Sequence, residues 1–170
     1  MAAGDIRIHT QMEGGTGFAA LAAGQTFENG EIVVVGAAGT LAEAGDDPAV
    51  VAGISIGSSQ GLVANASPIN LSTIATGTLI PFYKPVSGQL FKTDNFATDG
   101  AGTAATPAVT TIGDTAGFTL AGAPAAWSLD TGAANAHVEV VDVLDSRGHS
   151  VGDTTIRTAG TGVTVVFGFI

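Results

Sequence analysis

Ile32-Val33-Val34-Val35-Gly36-Ala37-Ala38-Gly39-Thr40-Leu41-Ala42-Glu43-Ala44 is the stretch on which the fold turns. Its first four residues are β-branched, and such side chains fit the pleated, half-buried surface of a strand. Gly36 to Gly39 then turn the chain. Thr40 to Ala44 follow as a second short strand, with Thr40, Ala42 and Ala44 on one face and Leu41 and Glu43 on the other. Just upstream, Asn29-Gly30 is a turn signal. Just downstream, Gly45-Asp46-Asp47-Pro48 reads as a turn whose Asp side chains bond nearby backbone and whose Pro fixes φ. Val50 to Gly57 is a third strand.

The same style continues in both directions. Pro68 to Ile74 and Thr78 to Tyr83 read as short strands, with Pro81 and Pro85 suited to edges or strand ends because Pro has no N–H for a ladder. Ala136 to Leu144 alternates, with Val138 and Val140 on one face and His137, Glu139 and Val141 on the other. Ser146-Arg147-Gly148 turns it, and Val163 to Ile170 is an apolar strand. No window sustains an i, i+3, i+4, i+7 pattern. The expected class is all-β: a small barrel or sandwich, with an extended N-terminal arm and a long loop or second β lobe. The division is an arm over 1–24, a β core over 25–92, an Ala/Gly/Thr-rich loop or insertion over 93–126, and a β segment over 127–170 that completes the core. The arm is rich in small residues from Gly14 to Gly24. The stretch from Thr98 to Thr106 has little to bury and reads as surface loop.

Length and charge narrow the function. A chain of 170 residues forms one domain, with or without an elaborated lobe. It has no Cys, so disulfides, thiol chemistry and thiolate metal sites are excluded. Fifteen Asp and Glu against five Lys and Arg give a formal net charge of −10. The cations, Arg7, Lys84, Lys92, Arg147 and Arg157, are scattered singly, which disfavours nucleic acid and anionic membrane as partners. Charged residues make up only 12% of the chain, a bland surface that is easily desolvated against other protein. No apolar run is long enough to span a bilayer. The N-terminus lacks the basic start and apolar core of a signal peptide, so the expectation is a soluble protein made in a cytoplasm.

Chemistry-bearing motifs are sparse. Gly53-Ile54-Ser55-Ile56-Gly57 matches G-x-S-x-G by letter. That motif works only at a strand-to-helix turn above a parallel sheet, and Ser58-Ser59-Gln60-Gly61 does not start a helix. Ser55 is therefore read as a strand residue rather than a hydrolase nucleophile. His9, His137 and His149 have no ligand spacing. Asp46-Asp47 and Asp142/Asp145 lack the repeated oxygen ligands of a calcium loop and read as turns. Trp127 and Tyr83, the only Trp and Tyr, are too few for a sugar- or base-stacking platform. The expectation is no enzyme, with no catalytic residue, no cofactor and no metal.

The order of features resembles tailed-bacteriophage head decoration proteins, also called capsid cement proteins. Phe27 to Val35, then Gly39 to Ala44, then Asp47 to Ser55 look like their N-terminal β unit. Trp127 to Asp130, Asp142 to Asp145, and Val151 to Phe167 resemble the end of such shell proteins. The likeness covers about two-thirds of the chain and leaves out 86–126. It implies a virion protein on the outer capsid surface, assembled in the host cytoplasm, that bridges major capsid protein subunits. Self-association as a homotrimer, with a dimer as the other option, is implied too. So is a capsid-binding arm, here carrying Ile6, Ile8, Met12, Phe18 and Leu21, that adds a strand to its partner. The alternative is another virion part, such as a head fibre base, a tail component or an adhesin domain.

Overall fold

The computed structural model describes residues 6–25, 28–56, 79–121, 126–152 and 163–170. It is all-β among them, as the sequence predicts, and it divides into a barrel and a sheet. The first strand, β1 (Arg7–Thr10), belongs to the sheet. The next five form the barrel: β2 (Thr16–Leu21), β3 (Ile32–Val35), β4 (Thr40–Glu43), β5 (Gly53–Ser55) and β6 (Leu79–Tyr83). The chain then returns to the sheet with β7 (Leu90–Thr93), β8 (Phe96–Ala97), β9 (Thr115–Ala121), β10 (Ala126–Asp130), β11 (Val138–Leu144) and β12 (Thr164–Phe169).

The barrel closes in the order β2-β4-β3-β5-β6. Its bore is narrow and is filled by Ala19, Leu21, Val33, Leu41, Ile80 and Phe82. Residues on the opposite faces of these strands point outward. Ile32 and Ile54 are register partners on that outer side, and both join the buried cluster of the sheet with Phe91, Phe118, Trp127 and Phe167. Gly53 permits the closure. Its φ is +154°, and a Cβ there would lie 1.9 Å from the Tyr83 carbonyl oxygen.

The sheet has seven strands in the order β1-β7-β12-β11-β9-β10-β8. Phe91, Phe118, Phe167 and Phe169 interlock, with ring centroids between 5.7 and 6.0 Å apart. The predicted alternation of β11 holds, with Val138 and Val140 buried and Glu139 and Val141 exposed. A register shift between Val140 and Asp142 then returns Val143 to the core.

The division by residue number differs from the expectation in two places. Residues 7–10 and 16–21 are not a free arm, because β1 pairs with β7, and β2 pairs with β4 and β6. The small side chain at Ala19 suits the narrow bore, a reason for small residues that composition alone reads as lack of anchors. The 93–126 stretch is not one loop, since β9 within it is a central strand with Phe118 fully buried. Its Gly117 reflects close packing, because a Cβ there would lie 2.1 Å from the Asn135 carbonyl oxygen. The 127–170 segment builds the sheet with β1, β7, β8 and β9, and its Trp127, Val140 and Phe167 share a buried cluster with Ile32, Ile54 and Phe91 of 25–92. The strand expected over 68–74 lies outside the described residues.

Candidate interaction face

The residues with any catalytic pretext are held in structural roles. Ser55 lies in an antiparallel barrel strand and is fully buried. Its hydroxyl donates to the Glu28 carbonyl oxygen and accepts from the Glu31 N–H at 3.0 Å. Among the described residues its hydroxyl is bonded to backbone groups only, and no side-chain base is hydrogen-bonded to it. Among the described residues, no group of three or more His, Asp or Glu is placed to hold a metal ion. His137 lies within 2.6 Å of the Pro48 carbonyl oxygen through Nε2, which must carry the proton to donate there. Asp142 and Asp145 tie their own hairpin, as expected for turn residues. Asp145 accepts from the N–H groups of Arg147 and His149, and the His149 bond, its chief cause, holds its carboxyl below the usual range.

Asp46 and Asp47 depart from the expected local turn. Asp46 accepts the Leu120 N–H at 2.8 Å, and Asp47 accepts those of Ala134 and Asn135 at 3.1 Å. The Asn135 amide returns a bond to the Asp47 carbonyl oxygen. Asp47 is held at φ +44°, an unusual value for a residue other than Gly. The segment is a strap from the barrel to the sheet, made by backbone partners far off in sequence.

Burial also perturbs two carboxyls beside that strap. Glu31 is 7% exposed and its pKa is pushed up to about 7. Burial is the main cause; the nearby charges of Glu43 and Glu28 add to it, and the Glu28 N–H opposes it. Glu43 is raised as well, again by burial. The Trp127 indole N–H opposes that rise from across the seam, although it closes no hydrogen bond of standard geometry.

What the barrel offers to a partner is its outer surface on β2, β6 and β4. Phe18 stands opposite Pro81, and Ala20 stands opposite both Leu79 and Thr40. Strand alternation puts these residues on one face, and none of them is charged. Phe18 is 64% exposed and Leu79 is 59% exposed, unusual for side chains of that size. A patch of this kind suits protein contact rather than chemistry. Pro81 sits on β6 between β2 and β5, so the edge position expected for it does not hold.

The five residues expected to face a capsid are separated by the fold. Ile6 and Leu21 are core residues, and Ile8 packs half-buried against the sheet cluster. Met12 and Phe18 remain exposed. Leu79 and Pro81 are brought beside Phe18 by pairing across sixty residues of sequence, and no local pattern signals that meeting.

Comparison with protein families, curated proteins and solved structures finds no match to this chain.

Proposed function

We propose that the chain is a capsid decoration protein that binds the outside of a phage head and bridges major capsid protein subunits, acting as a homotrimer without catalysis. The observation that carries this reading is the uncharged apolar face of Phe18, Leu79 and Pro81 on a chain of net charge −10. An acidic protein approaches another protein with least electrostatic cost where its own surface is neutral. The sequence likeness to cement proteins supports it further, since the three N-terminal segments of that likeness run through the consecutive strands β3, β4 and β5.

The docking mode differs from simple strand donation. Residues 16–21 pair with β4 and β6, and residues 7–10 pair with β7 along one edge, so neither is a free arm and the β2/β6 face takes over as the contact. Burying one large apolar side chain stabilises a complex by about 1.5–3 kcal/mol, which is weak alone. Three such faces gripping a symmetric shell at once gain avidity without new contacts.

The test is co-sedimentation of the purified protein with heads that lack it, followed by heating. Saturable binding near the number of threefold positions, with a higher rupture temperature, is the expected result. Binding at a few copies per particle would move the protein to a fibre, tail or adhesin part. No binding to any part of the particle would remove the virion reading.

A further inference from the structure

The strap leaves the barrel directly beside the buried Glu31 and the half-buried Glu43. Glu43 ends β4, and the next residue, Ala44, donates its N–H to the Ile32 carbonyl oxygen at 2.9 Å. Ile32 adjoins Glu31. Beyond Ala44 come the bonds to the sheet: Asp46 to Leu120, Asp47 to Ala134 and Asn135, and Pro48 to His137. On the sheet side of the seam, Trp127 is fully buried, and among the described residues its indole N–H, which acts on Glu43, closes no hydrogen bond of standard geometry.

Among the described residues most charged groups around this seam are acidic, and Arg7 of β1, which pairs with Asp94 at 2.8 Å, lines a cavity with Asn29 and Ile56. Glu28, Glu31 and Glu43 come from the barrel, and Asp46 and Asp47 from the strap. His137 comes from the sheet, stacked on Phe118 at a centroid distance of 6.4 Å. No Lys or Arg occurs anywhere from residue 28 to residue 56. Among the described residues, the Glu31 carboxylate accepts from the Glu28 N–H at 2.7 Å and from no other donor. An ionised Glu31 therefore keeps most of its desolvation cost.

We propose that the joint between barrel and sheet is tightened by acid: protons on Glu31 and Glu43 hold the 43–48 strap against the sheet, and their loss loosens it. With both carboxyls neutral, Glu43 stays beneath the strap and Ala44 keeps its bond to Ile32. With both ionised, repulsion and desolvation favour turning Glu43 outward to water, which draws Ala44 off Ile32 and slackens the strap. Protonation of His137 leaves its Nε2–H in place, so acid does not break the bond to Pro48. The folded state holds a proton on Glu31 to a higher pH than the unfolded chain does. The tight joint is thus complete at about pH 4.5 and is lost as the pH rises to about 7.

Trp127, the only Trp, reports directly on the seam. The experiment measures Trp127 emission and amide protection factors on the whole folded chain from pH 5 to pH 8. The expected result is a fall of about tenfold in protection at Leu120, Ala134 and Asn135, with Trp127 emission changing over the same range. Protection at Val143 and Val165, within the sheet, stays constant. Glu31→Gln removes the dependence at the strap. Equal protection at pH 5 and pH 8 would overturn the proposal, and that reading needs no variant to fold. So would a strap dependence that persists in Glu31→Gln.

Discussion

Asp130 at the end of β10 and Glu31 just before β3 both place a carboxylate out of water, and their surroundings differ sharply. Asp130 is fully buried, yet it accepts from the N–H groups of Gly100, Gly102 and Gly132 and from the Thr119 hydroxyl. These donors come from the glycine-rich loop 98–104, from β9 and from the turn after β10, so the carboxylate is the peg that orders them. Glu31 is slightly less buried and has one backbone donor. Depth of burial does not decide whether a buried carboxylate supports a fold; the number of donors converging on it does.

The largest expected effect tests the richer of the two sites. Asp130→Ala leaves three backbone N–H groups and a hydroxyl without their partner. It lowers the unfolding free energy by about 3 kcal/mol or more, read from the urea midpoint at constant slope. A loss below about 1 kcal/mol would show that water satisfies those donors and that Asp130 is no peg. Next comes Ser55→Ala, which strips the Glu31 N–H and the Glu28 carbonyl oxygen of their shared partner. About 1–3 kcal/mol is lost, with no change in any hydrolytic activity.

Glu31→Gln sharpens the comparison by acting in the opposite direction. The wild-type stability falls between about pH 4.5 and pH 7, because the unfolded chain releases the Glu31 proton first. Gln removes that slope, so the variant gains about 2 kcal/mol over wild type at pH 8 and nothing at pH 4. Chemical denaturation at the two pH values decides it, and a variant equally destabilised at both would refute the assignment. The smallest stability effect belongs to Phe18→Ser on the exposed face, within about 0.5 kcal/mol of wild type. A larger loss would mean that Phe18 supports the barrel rather than a partner.

The strands that sequence reveals are those with strong local pattern. Ile32 to Val35, Thr40 to Glu43, Leu79 to Tyr83 and Val138 to Leu144 all stand where β-branched runs or alternation put them. β9 escapes because Thr115-Ala116-Gly117 carries no such run, and its glycine answers to a carbonyl oxygen eighteen residues away, that of Asn135. β2 escapes because its small residues serve a narrow bore rather than a loose arm, and β1 because its partner β7 lies far along the chain. The roles of Asp46 and Asp47 were hidden for a related reason, since their partners lie 74 to 88 residues along the chain. Of the interaction face, Phe18 was legible as an apolar residue in a bland stretch. Its junction with Leu79 and Pro81 exists only once β2 pairs with β6.

The most direct test of the functional account is capsid binding by a chain whose neutral face alone is altered. Phe18→Asp places a charge at the centre of that face while leaving the barrel interior untouched. With heads that lack the protein, the account predicts saturable, high-copy binding by the wild type and at least about a tenfold loss of affinity for the folded variant. Equal binding by both would contradict docking through the β2/β6 face.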